Sequence, residues 1–139
     1  MKKIFLSLLF IAFTSSIFSQ SIIGTWKTID DETNKEKSYV EIFKKGDKYF
    51  GKVVKIIDPA KQNAKCIDCE GKHKDQAVMG IEMLWDLELD GDEFDDGYIL
   101  DPNNGKVYDC KIWLDDENKL MVRGYVGWFF RTQTWYRVQ

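Results

Sequence analysis

The sequence predicts an all-β protein: a single eight-stranded antiparallel up-and-down barrel. Three observations carry the prediction. After residue 20 no long run has helical periodicity, and short β-rich runs appear instead. Clusters of Gly, Asp, Asn and Pro separate these runs at short intervals. Sequential strands with short connections form a meander, and a meander removes its exposed edges by closing on itself. The 139 residues are 44% hydrophobic and 14% aromatic, enough for one core and too few for two domains.

Residues 1–20 stand apart from this pattern. Lys2 and Lys3 precede an apolar run from Ile4 to Phe13, followed by Thr14, Ser15, Ser16 and, before the expected cut, Ser19. That is the order of a cleaved signal peptide, with cleavage expected after Ser19 or Gln20 and a barrel domain over 21–139. The run is too short to cross ~30 Å of hydrocarbon, and no second apolar stretch follows, so no membrane span is expected. Export to the periplasm or the medium follows. The formal net charge is −3, and losing Lys2 and Lys3 makes the domain more acidic still. An acidic domain offers no basic face to phosphates, so nucleic acid is not an expected partner.

The strands follow in order. Gly24 to Ile29 is the first. Lys37 to Lys44 and Lys48 to Ile57 are the second and third, joined by a hairpin at Gly46-Asp47. The polar stretch Asp58 to Gln76 comes next, with a short helical turn expected at Gln76 to Met79. Ile81 to Leu89 is the fourth strand. It ends in Asp90, Gly91 and Asp92, and Asp96 and Gly97 precede a short fifth strand, Tyr98 to Leu100. Lys106 to Leu114, Lys119 to Val126 and Phe129 to Val138 complete the set. On the sixth strand Tyr108, Cys110, Ile112 and Leu114 alternate with Asp109 and Lys111, so the first group is expected to face inward. On the seventh, Leu120, Val122 and Val126 share one face; Met121, Arg123 and Tyr125 share the other.

Export makes cysteines oxidisable. Cys66 and Cys69, with two residues between them, are placed for a local disulfide that tightens the polar loop. Other readings remain: a zinc site from Cys66, Cys69, His73 and Cys110, a redox pair, or thiols that are reduced or paired differently. Cys110 sits mid-strand as a small buried hydrophobe.

Gly24 and Trp26 form a Gly-x-Trp on the first strand, and Arg137 lies on the last. This pairing resembles the signature of lipocalins, in which the Trp plugs one barrel end beneath the Arg. Three longer segments are more specific: Gly97 to Tyr108, Leu120 to Gly127, and Arg131 to Arg137. They resemble the pattern of the bacterial domain of unknown function 2147 family, across essentially all of residues 21–139. Phe130 stands where that family usually has Gly. The resemblance implies an exported bacterial protein with a lipocalin-like barrel, and it implies no particular activity.

No catalytic constellation is visible: there is no phosphate-binding glycine loop, nucleophile elbow or zinc-protease motif. No cofactor or metal is expected, and the protein reads as non-enzymatic. Asp90, Asp92, Glu93, Asp95, Asp96 and Asp101 form an acidic patch that misses the EF-hand spacing and reads as solvated turns. His73, between two lysines, is expected to be exposed. Arg123 and Tyr125 share a strand face, so together they could bind a carboxylate if that face lines the lumen. The pair is similar to the Arg-x-Tyr of fatty-acid-binding proteins. Arg131 and Gln133 share a face of the last strand and are candidates on the same grounds. The expected role is binding of a small apolar or carboxylate-bearing molecule inside the barrel. The alternative is an envelope interaction module with a filled barrel.

Overall fold

The computed structural model describes residues 21–139. The expected signal peptide over 1–20 lies outside the described residues. Eight antiparallel strands close in sequence order: β1 (Gly24–Ile29), β2 (Glu36–Lys45), β3 (Lys48–Ile56), β4 (Glu82–Asp90), β5 (Glu93–Asp101), β6 (Lys106–Asp116), β7 (Lys119–Val126) and β8 (Phe129–Arg137). Closure is made by β1 and β8, where Trp26 opposes Arg137 and Lys27 opposes Tyr136.

The fifth strand is 9 residues long, three times the expected Tyr98 to Leu100, and most of the extension is at its start. It begins at Glu93, and Phe94 is buried in the core. Asp95 and Asp96 form a bulge, with Asp96 at φ 59° and the register shifting between Phe94 and Gly97. The bulge returns Gly97 to the inner face, where an added Cβ would lie 2.5 Å from Leu87. The helical structure in the long loop also falls elsewhere than expected: 3-10 turns form at Pro59–Lys61 and Gly71–His73.

Alternation then sorts the side chains. Residues opposite one another share a face, and the pairs Cys110↔Gly124, Ile112↔Val122, Leu114↔Leu120 and Leu120↔Trp135 put the even positions of β6 and β7 inside. Val40, Ile42, Leu84, Leu87, Ile112, Leu120, Val122 and Trp135 are all 2% exposed or less. The barrel's middle is therefore filled with aliphatic and aromatic side chains.

Because strand direction alternates, each end collects particular loops. One end holds the β2–β3, β4–β5 and β6–β7 turns and the segment 21–23. Trp26 closes this end. It is fully buried, its indole N–H donates to the Ile22 carbonyl at 2.9 Å, and the Arg137 guanidinium lies 4.3 Å above its ring. Arg137 also donates to the carbonyls of Ser21, Ile23 and Glu117. Gly24 (φ 135°) makes room for it, since a Cβ there would sit 3.0 Å from the guanidinium. The opposite end, the mouth, gathers the loops 30–35, 57–81, 102–105 and 127–128.

Candidate functional site

The mouth is dominated by the 57–81 loop, and a few strong contacts hold it. Cys66 and Cys69 are disulfide-bonded, with Cα atoms 5.3 Å apart, and both are buried. The Cys66 N–H donates to the Gln76 carbonyl at 2.8 Å, and the Asp75 N–H donates to the Cys66 carbonyl at 3.0 Å. These bonds close the loop into a compact knot. The knot docks on the β5–β6 turn: the Cys66 sulfur lies 3.5 Å from the Pro102 carbonyl oxygen. Gly105 (φ 72°) faces it so closely that a Cβ would fall 2.0 Å from the Asp68 carbonyl oxygen.

The knot also places His73, and here the expectation of exposure fails. The residue is 6% exposed, and its ring packs at a tilt of 32° against Trp85 with centroids 5.3 Å apart. The local sequence is polar, but the 3-10 turn over Gly71–His73 rolls the imidazole under the loop. Its Nε2 is a buried side-chain atom without a hydrogen-bond partner, and no other such atom occurs among the described residues. Such orphans cost about 1–3 kcal/mol and call for an explanation.

Between the knot and the barrel rim lies a half-open cavity of about 570 Å³. Glu70 and His73 form its loop side. Leu100, Lys106, Val107 and Tyr108 come from β5 and β6, and Tyr125 and Val126 from β7. A second cavity, of about 520 Å³, lies near the closed end beside Ser21, Tyr49, Leu89 and Trp113. Neither is lined by the inner residues Val40, Ile42, Leu84 or Val122. Both cavities thus lie at the ends of the barrel.

The four candidate ligand residues separate. Arg123 and Tyr125 oppose Lys111 and Asp109 on the outer face of β6 and β7, so they form no lumenal carboxylate clamp. Arg123 lies between two rings, 4.8 Å from Trp113 and 4.2 Å from Phe130, and its Nε donates to Thr132 at 2.9 Å. The two π faces and the Thr132 hydroxyl hold the guanidinium on this outer face. Tyr125 turns from the lumen but lines the rim groove. Arg131 and Gln133 do share the inner face of β8, near the mouth. Arg131 pairs with Asp31 at 3.1 Å, and Gln133 donates to the same carboxylate. Gln133 also accepts from the Trp135 indole at 3.1 Å. These residues form a polar strap that ties the β1–β2 loop to β8 above the filled core.

Beside the groove the β7–β8 hairpin presents an apolar tip. Trp128 is 99% exposed, and Val126, Phe129 and Phe130 are each more than half exposed. Sequence reasoning missed the groove and His73's part in it, because neither hydrophobic period nor motif spacing reports how a polar loop folds back. The orphaned His73 atom is visible only once that loop is placed.

Two comparisons bear on this arrangement. Residues 24–137 match the family described as "Uncharacterized protein conserved in bacteria (DUF2147)". The solved structure of HP1028 from Helicobacter pylori, described as belonging to the lipocalin family, superposes with a TM-score of 0.74. The two are 21% identical over 86% of this chain and 84% of that one, a likeness of fold. No curated protein matches the chain.

Proposed function

The chain belongs to the DUF2147 family, and on that premise we propose that it is an exported, non-enzymatic binder of a small amphipathic molecule. The observation that carries this reading is the rim groove of about 570 Å³, whose walls combine Leu100, Val107 and Val126 with His73, Lys106 and Tyr125. Binding sites are typically of this size, mostly apolar with a few converging polar groups. The seat is moved from the lumen, where the notional ligand would meet packed side chains, to the mouth. Export is supported by the order of residues 1–20 and by a disulfide, a bond that persists in oxidising compartments.

The test is native mass spectrometry of the protein purified from its own source. A retained small molecule at one per chain, released on denaturation, is the expected result. Bare protein that also fails to take up any amphiphile in solution would count against the reading.

A second reading, an envelope interaction module, is favoured by the aromatic tip. Trp128, Phe129 and Phe130 are three consecutive exposed aromatics, and such rings anchor protein interfaces. Pull-down with wild type and with Trp128→Ser separates the two readings: the module loses its partner, and the binder keeps its ligand.

A further inference from the structure

We infer that the tip of the β7–β8 hairpin docks on a membrane: Trp128, Phe129 and their apolar neighbours enter the interface of a phospholipid bilayer, and Arg131 meets the lipid phosphates. The inference is independent of the groove reading, which a negative result here would leave standing. The hairpin outruns the strands on either side of it. The β6–β7 ladder ends at Tyr125 opposite Asp109, and β8 pairs with β1 only at Tyr136 and Arg137. Beyond those points β7 and β8 pair only with each other, Tyr125 with Phe130 and Val126 with Phe129. Gly127, at φ 57°, makes the two-residue turn and leaves Trp128 at its apex. Trp128 is almost wholly exposed, and Val126, Phe129 and Phe130 are each more than half exposed. A contiguous apolar tip of this kind marks a contact made outside the molecule.

Size, charge and spacing select a bilayer as that contact. The tip is small and convex. At about 150–250 Å² for each aromatic ring it offers on the order of 500 Å². Each partner in a stable protein interface gives about 800 Å². A bilayer closes around a convex tip from all sides and needs no matching surface. The charge is also segregated. The chain is formally −3, yet residues 119–139 carry Lys119, Arg123, Arg131 and Arg137 and no acid. Asp31, from the β1–β2 loop, takes one nitrogen of Arg131, whose side chain is still 70% exposed. Arg131 lies three residues past Trp128, about 10 Å along a strand. Apolar groups of interfacial elements sit about 5–10 Å into the headgroup boundary. An apex at that depth leaves the guanidinium level with the phosphates, which it can bind by charge-assisted hydrogen bonds. Trp is the ring most suited to this layer, since it is apolar with one N–H to keep wet.

The experiment is co-sedimentation of the purified protein with vesicles of phosphatidylcholine alone and of phosphatidylcholine mixed with phosphatidylglycerol. Wild type, Trp128→Ser, Trp128→Phe and Arg131→Gln are compared. Wild type should pellet with both, more strongly with the mixture. Trp128→Ser should partition about tenfold or more weakly to both. Its urea midpoint should match wild type, because an exposed apex contributes no packing. Trp128→Phe should keep most of the binding. Arg131→Gln should lose about fivefold in affinity for the mixed vesicles only. Tryptophan emission of wild type should move to the blue on adding vesicles, and Trp128→Phe should bind without that shift. Wild type left in the supernatant by both kinds of vesicle overturns the inference, and so does Trp128→Ser that pellets as well as wild type. A wild-type dimer that Trp128→Ser breaks, with no uptake by vesicles, would instead assign the tip to a second copy of the chain.

Discussion

Cys110 faces the barrel interior from β6 and is 1% exposed. Burial pushes its thiol up from an ordinary value of 9.0 to about 12, with the Asp95 carboxylate adding to the effect. The folded protein thus holds the neutral thiol where the unfolded chain releases the proton. The resulting stabilisation is complete below pH 9.0 and declines as pH rises toward about 12. Urea midpoints of wild type should therefore fall more steeply across that alkaline window than those of Cys110→Ala. The difference is on the order of a few kcal/mol by the upper end of the window. Parallel curves for the two proteins would contradict the burial of the thiol. Much at this scale was legible in the sequence, because alternation on β6 placed Cys110 and Ile112 on one face. The outward direction of Arg123 was not legible. Both faces of β7 carry apolar residues, and only the pairing with β6 and β8 shows which side is core.

At the scale of elements, the 57–81 loop is the piece most exposed to a single substitution. Gly105 occupies a left-handed conformation and also touches Asp68, so Gly105→Ala introduces both strain and overlap. The loop should undock from the β5–β6 turn at a cost of about 2 kcal/mol or more. Hydrogen exchange should then quicken at Cys66 and Asp75, whose amides are bonded within the knot, while β7 and β8 keep their protection. Unchanged exchange at those two amides would show that the turn does not hold the loop. The strands themselves were readable from period-two alternation and from turn chemistry such as Gly46-Asp47. The start of β5 was not, because Asp95, Asp96 and Gly97 carry the composition of a turn. The bulge uses that same backbone freedom within a strand, as φ 59° at Asp96 shows. The burial of His73 escaped for a related reason: its neighbours Lys72 and Lys74 are exposed, and the 3-10 turn alone directs the imidazole inward.

Across the whole molecule the division of labour is by height along the barrel axis. The closed end is sealed by Trp26 and Arg137, the middle is packed with side chains, and the mouth carries the disulfide knot, the Asp31 strap, the groove and the aromatic tip. Hydrophobic patterning reported the closed barrel, since closure needs only that each strand have an apolar face. It could not report whether the interior stays open, because that depends on the summed volumes of residues brought together from eight strands. The central claim is that binding occurs on the rim and not in the lumen. Its most direct test is a titration of isotopically labelled protein with dodecanoic acid, followed by amide nitrogen–proton correlation spectra. The account predicts shifts concentrated at Glu70, His73, Val107, Tyr125 and Val126, with Val40, Ile42, Leu84 and Val122 unmoved. Saturable shifts centred on those four inner residues, with the groove silent, would contradict it.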